Sequence, residues 1–140
     1  MKFVFDNNIA PSIAKAIKEL SKTKYDNQHN IIHLRDEFAA NTKDDEWIKS
    51  LSIQRDTCVI TKDRLDKGME ADLLSQSGLI VFHLDSSWNN KGYGFWDEAV
   101  NLIRWWPRIV QQAEGITGGA AFKVKWKFTG IGKFEQVRRR

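Results

Sequence analysis

Four apolar runs in this chain each arrive at an aspartate: KFVF stops at Asp6, NIIHLR at Asp36, CVITK at Asp63 and LIVFHL at Asp85. A single acid after a strand is unremarkable, because polar residues take over where the chain leaves a core and turns. Four at equivalent places form a pattern, since the ends of neighbouring strands lie side by side once a sheet assembles. Asp44-Asp45-Glu46 adds acids at the start of an apolar-periodic segment, and Asp66 follows closely on Asp63. Carboxylates brought within a few ångströms repel one another and hold protons more tightly, so a divalent cation is the simplest way to neutralise them. All-oxygen ligation, with no cluster of Cys or His, favours Mg2+ or Mn2+ over zinc. Such a centre suits phosphodiester hydrolysis.

Each acid also has a plainer role. Asp6 precedes Asn7-Asn8 and can form a turn ahead of the next helix. Asp63 follows Thr61, whose hydroxyl can hydrogen-bond a neighbouring carboxylate, and Lys62, which is close enough to tune local charge. Asp44 can be an N-cap, with Asp45 and Glu46 as partners of the helix dipole. Asp36, Asp66 and Asp85 are weaker candidates, because a loop acid is often simply solvated. His33 and His83 occupy matching places in two strands and, without HxH or HxxxH spacing, read as core or edge residues; His29 reads as loop. The chain has no Gly-rich phosphate loop, no nucleophile elbow and no ordered Ser/His/Asp set.

The elements that must position these acids alternate between two periods. The run KFVF is a strand; Pro11 suits a first helical turn, and Ile13, Ala14, Ile17 and Leu20 follow at helical spacing. Residues 30–34 form a second strand, and DDEWIKSLSIQR opens acidic and places Trp47, Ile48 and Leu51 on one face of a helix. A third strand spans 57–61, a shorter helix spans 67–77 with Met69, Leu73 and Leu74 inward, and a fourth strand spans 79–84. Strands alternating with helices argue for a three-layer α/β/α sandwich with a mainly parallel central sheet, which buries near-continuous apolar strands. In such a sheet all carboxyl ends face one side, where ligands bind.

After Asp85 comes a polar loop, SSWNNKGYG, then an apolar-periodic helix from Trp96 to about Ala113 that Pro107 is expected to kink or divide. Beyond the turn cluster GITGG, the run FKVKWKF alternates: Phe122, Val124, Trp126 and Phe128 on one face, and Lys123, Lys125 and Lys127 on the other. That reads as an edge or half-exposed strand with an outer lysine row, which can serve a polyanion or simply discourage aggregation. Residues 1–130 are expected to form a single domain, with 131–140 a basic C-terminal tail.

Bulk composition agrees. A chain of 140 residues, 41% hydrophobic and 11% aromatic, can build one sizeable core. No apolar run approaches the roughly 18 residues of a membrane span, and only FVF precedes Asp6, so a soluble, intracellular, cytoplasmic protein is expected. The lone Cys58 reads as a small buried residue. The formal charge is +4, yet residues 121–140 alone carry +6, seven Lys/Arg against Glu135, leaving −2 for the rest. An acidic-leaning body beside a basic segment fits a protein that binds a cation in one place and a polyanion next to it.

The motifs MKFVFDNNIAPSIAKAI, HLRDEF followed by DDEWIKSL, and CVITKD resemble, in their order and spacing over residues 1–85, the compact PIN-like domains. They resemble in particular the PIN-type ribonuclease toxins of prokaryotic toxin–antitoxin pairs. The resemblance implies a metal-dependent endoribonuclease acting on single-stranded or loop RNA, with an acidic cluster that binds Mg2+ or Mn2+. By position its catalytic acids are Asp6, Asp44, with Glu46 as the close alternative, and Asp63; Asn8 and Thr61 match supporting polar positions. The usual fourth acid has no unambiguous counterpart, and Asp66 and Asp85 compete for it. The lysines at 123, 125 and 127, with Arg138, Arg139 and Arg140, would hold the RNA backbone without reading sequence. An antitoxin capping the acidic cleft, and a homodimer, are implied partners.

A different class of function is a non-catalytic PIN-like module that binds a protein or RNA partner, motivated by Trp88, Trp96, Trp105 and Trp106 as interface anchors or, more plainly, core residues. A phosphoryl-accepting domain would need paired acids directly after the first strand, and FDNN lacks them.

Overall fold

The computed structural model describes residues 1–137. Its six strands are β1 (Lys2–Phe5), β2 (Asn30–His33), β3 (Thr57–Thr61), β4 (Ile80–Leu84), β5 (Ala120–Val124) and β6 (Glu135–Val137). They form one sheet in the order β2-β1-β3-β4-β5-β6, parallel throughout except for β6, which runs antiparallel to β5. The helices are α1 (Pro11–Tyr25), α2 (Asp44–Ser52), α3 (Glu70–Gln76) and α4 (Phe95–Glu114). This is the α/β/α sandwich expected from the alternating periods.

Strand alternation sorts the core into two halves. Phe3, Phe5, Cys58, Ile60, Ile80 and Phe82 face one side with the buried faces of α1 and α4; Val4, Ile32, Val59, Leu79 and Val81 face the other with those of α2 and α3. A sheet covered on both faces lets strand residues of both parities be apolar, which is why the runs look continuous in sequence. Pro11 occupies the first turn of α1, where its missing N–H costs no hydrogen bond. Trp88, Trp105 and Trp106 are buried, whereas Trp96 is 77% exposed, so only one of the four candidate anchors is free to meet a partner. Met69, expected inward, is exposed as well, because α3 starts only at Glu70 and leaves it on the preceding turn.

Helix α4 runs unbroken through Pro107, against the expectation of a division there. Leu102, Trp105 and Trp106 before the proline and Ile109, Val110 and Ala113 after it are all buried on the same sheet face. Anchoring both halves outweighs the local cost of about 3 kcal/mol for an interior proline.

The alternating run around the lysines also ends early. β5 stops at Val124 and is not an edge strand, since β4 and β6 flank it. Beyond it Trp126 leaves the sheet to lie over α4: its N–H donates to Ser87 Oγ at 2.9 Å, and its carbonyl accepts from Asn101 Nδ2 at 2.8 Å. Packing these aromatic rings against α4 replaces further strand pairing, so Lys125 and Lys127 do not continue the row begun by Lys123. The segment assigned to a basic tail in turn supplies β6, which the sheet recruits because β5 would otherwise present an open edge. Gly132 lets the chain turn back: its φ is +86°, and a Cβ there would lie 2.9 Å from the Phe128 ring. Arg138, Arg139 and Arg140 lie outside the described residues.

Candidate functional site: an acidic cluster at the carboxyl ends of the strands

Asp6 is the first residue beyond β1, and its N–H donates to the Ile60 carbonyl of β3 at 2.9 Å, which carries it into the space between the two strand ends. The side chain is only 4% exposed. The Thr61 hydroxyl donates to Asp6 Oδ2 at 2.6 Å, and the Asn7 N–H donates to Oδ1 at 2.6 Å. Burial, the dominant influence, raises the Asp6 carboxyl above its ordinary value; the Thr61 and Asn7 hydrogen bonds oppose the rise, and the charges of Asp44 and Asp63 add to it.

Thr61 knits the neighbouring residues together. Its Oγ accepts from the Asp63 N–H at 2.9 Å and from Asn8 Nδ2 at 3.4 Å, while Asn8 Oδ1 accepts from the Lys62 N–H at 3.2 Å. Asp63 Oδ1 accepts from the Leu65 N–H at 3.1 Å, closing a turn in which Leu65 is buried at a φ of +52°. A leucine in that left-handed region is strained, and strain of this kind persists only where surroundings impose it. The His83 ring anchors the same turn through Nδ1, which donates to the Asp63 carbonyl at 2.9 Å.

Asp44 is the first residue of α2 and is aimed by the indole of buried Trp47, whose Nε1–H donates to Asp44 Oδ1 at 2.9 Å. Asp44, rather than Glu46, enters the field of Asp6; Glu46 is exposed. Glu70, the first residue of α3, was not among the acids singled out in sequence. Burial raises its carboxyl first of all, the Lys67 N–H pulls it down, and the charges of Asp44 and Asp63 together with a hydrogen bond to Asp44 raise it further. Glu70 therefore feels Asp44 and Asp63, the same two acids that act on Asp6. In sequence Glu70 lay inside a helix expected over 67–77, so nothing marked it as a helix-opening acid in the way Asp44 was marked.

The remaining acids take other places. Asp36 Oδ2 accepts from the His33 N–H at 2.9 Å, capping a short 3-10 turn, and buried His33 bonds the Ile9 carbonyl through Nε2. Asp85 caps a second such turn by accepting from the Ser87 N–H at 3.0 Å. Asp66 and Asp85 both line a cavity of about 410 Å³ beside Asp63, along with Lys62, Arg64 and Lys123. Lys62 is ion-paired with Glu98 of α4, and Lys123 faces Glu135 of β6 at 4.0 Å.

The family model described as PIN like domain matches residues 1–86. The chain belongs to the PIN-like domain family. The match covers β1 through β4 and every acid of the cluster. Comparison with curated proteins and with solved structures returned no match.

PIN-like domains are in general nucleases that use divalent metals, so the donors here bear directly on fit. Among the described residues, no group of three or more His, Cys, Asp or Glu converges closely enough to hold a metal ion. Charge coupling reaches further than coordination, which is how Asp44 and Asp63 act on both Asp6 and Glu70 without all of them sharing one coordination sphere. The oxygen-only donor set still fits Mg2+ or Mn2+, since Mg2+ is usually held by one or two carboxylates and completes its octahedron with water and substrate phosphate. Among the described residues no helix is long and apolar enough to cross a membrane.

Proposed function

We propose that this PIN-like domain is a metal-dependent endoribonuclease that hydrolyses phosphodiester bonds in single-stranded or loop RNA, and that it is the toxin of a toxin–antitoxin pair. One observation carries the reading: a buried carboxylate, Asp6, is fixed by Thr61 within the field of Asp44 and Asp63. Holding a desolvated acid beside two others is costly for the fold alone and useful for a cation.

In this reading Asp6, Asp44 and Asp63 are the catalytic acids and metal ligands, and Glu70 takes the fourth position for which Asp66 and Asp85 competed in sequence. The cation, Mg2+ or Mn2+, supplies positive charge against the scissile phosphate and lowers the pKa of an attacking water. Thr61 and Asn8 orient the Asp6–Asp63 pair, and Lys62 places a cation between the cluster and α4. Lys123, Lys125 and Lys127, with Arg138, Arg139 and Arg140, hold the RNA backbone. An antitoxin would cover the acidic cleft with a basic side chain or inserted segment, copies of the chain would pair as homodimers, and the protein would act in the cytoplasm.

The test is incubation of the purified protein with structured and unstructured RNA in Mg2+, Mn2+ or chelator, beside Asp6→Asn and Asp63→Asn. Cutting that needs metal and is lost in both variants supports the proposal; no cutting on any RNA, with no cation binding by calorimetry, overturns it. A second reading, a non-catalytic module that binds a partner, is favoured by the exposure of Trp96 and of Val100 one turn along α4. It requires that chelator leave partner binding unchanged.

A further inference from the structure

We propose that the cavity between Lys62 and the loop leading into α4 is a nucleobase-binding pocket, which holds the base of a nucleotide adjacent to the one whose phosphate is cut. The inference rests on the ribonuclease reading and names how that site takes its substrate.

The cavity measures about 280 Å³ and is lined by Lys62, Asn89, Tyr93, Phe95 and Glu98 among others. Lys62 and Asn89 also line the larger cavity beside Asp63, so the two spaces adjoin at these side chains. A strand whose phosphate lies at Asp63 would bring its next base to Tyr93 and Phe95.

The Tyr93 ring is prepared for stacking. Tyr93 lies flat on Trp126, with centroids 3.9 Å apart and planes 10° from parallel, and Trp126 packs edge-on against buried Trp88 at 4.9 Å. Trp126 is itself pinned by Ser87 and Asn101. Tyr93 is thus already ordered yet 37% exposed, and Phe95 is 50% exposed. An immobilised aromatic ring stacks a base with little further loss of freedom.

The polar lining suits a base edge. The Lys62–Glu98 pair is largely sheltered, at 21% and 13% side-chain exposure, and presents a donor beside an acceptor. Every standard base carries both an N–H and an acceptor on its Watson–Crick edge, so the pair can serve any of them, and the pocket is expected to be tolerant of sequence. Exposed Lys91, Lys125 and Lys127 flank Tyr93 and Trp126 in the chain and supply cations for the neighbouring phosphates.

The experiment measures binding of the 140-residue chain, in chelator so that nothing is cut, to a uridine hexaribonucleotide and to a hexamer of the same ribose-phosphate backbone without bases. The expected result is that removing the bases weakens binding about tenfold or more, and that Phe95→Ala and Tyr93→Ala each shrink this difference while Tyr93→Phe keeps it. Both positions are exposed, so the variants should fold. Equal affinity for the two strands, or a difference unchanged in both alanine variants, overturns the pocket. Cleavage in Mn2+ is read separately: base-dependent binding without cutting refutes the ribonuclease reading alone, and cutting without base dependence refutes the pocket alone.

Discussion

The Thr61 hydroxyl bridges two carboxylate positions: it donates to Asp6 Oδ2 at 2.6 Å and accepts from the Asp63 backbone N–H at 2.9 Å. One side chain at the end of β3 thereby sets the orientation of an acid from β1 and the entry into the turn that carries another. Thr61→Val keeps the shape and removes these two bonds together with the one from Asn8 Nδ2, leaving a buried carboxylate oxygen short of a partner. The expected cost is about 1–3 kcal/mol of stability, read from urea unfolding, with a larger proportional loss of RNA cleavage. Cleavage that falls no further than the folded fraction would mean that Thr61 supports the fold and not the site.

The acidic cluster should make the metal-free protein less stable as pH rises. Burial raises the Asp6 carboxyl above its ordinary 3.8, and burial with Asp44 and Asp63 raises Glu70 above 4.5. Folded-state values above unfolded ones mean that the folded chain holds protons the unfolded chain has released, so this contribution is present in full below the unfolded values. It is lost as pH climbs through the folded ones. In chelator, stability should therefore fall as pH rises above these ordinary values, and Asp6→Asn should flatten the fall and raise stability at pH 7. Cleavage by Asp6→Asn should drop at least about a hundredfold, since a metal centre supplies several kcal/mol.

Glu70 provides a direct comparison with the acids that sequence reasoning favoured. Glu70→Gln should weaken Mn2+ binding about tenfold, so that cleavage needs more metal to reach its plateau. Asp66→Asn should leave the metal dependence unchanged. Asp85→Asn should do the same while costing up to about 1 kcal/mol of stability as a weakened cap. Calorimetric titration of Mn2+ against the three variants checks the order.

The lysines should divide by their surroundings. Lys125 and Lys127 are exposed, whereas Lys123 faces Glu135. Replacing Lys125 and Lys127 with alanine should flatten the salt dependence of RNA binding by about 0.7 in log–log slope for each phosphate that is no longer neutralised. Lys123→Ala should change it less, because Glu135 already offsets part of that charge. Fluorescence titration across a range of salt concentrations measures the slopes.

Much of the site was legible before any fold was known. Asp6 and Asp63 sit where apolar runs stop, and a parallel sheet must bring such ends to one side; Thr61 followed from its position beside Asp63, and Asn8 from the resemblance to PIN-like domains. The strands and helices were legible for the same reason, since a two-residue or 3.6-residue period is a property of neighbouring residues alone. Glu70, the aiming of Asp44 by the Trp47 indole, the departure of Trp126 from the sheet and the continuity of α4 through Pro107 were not. Each depends on contacts between residues distant in sequence or on packing across layers: α3 against α2 sets Glu70 beside Asp44, the Trp47 indole selects which acid of α2 points inward, and burial on both sides of Pro107 outweighs a local preference. Local periodicity is enough to say which segments become elements and which acids end the strands, because it is written into neighbouring residues. Which charges share a field is settled only when the layers pack, because side chains far apart along the chain meet there and nowhere earlier.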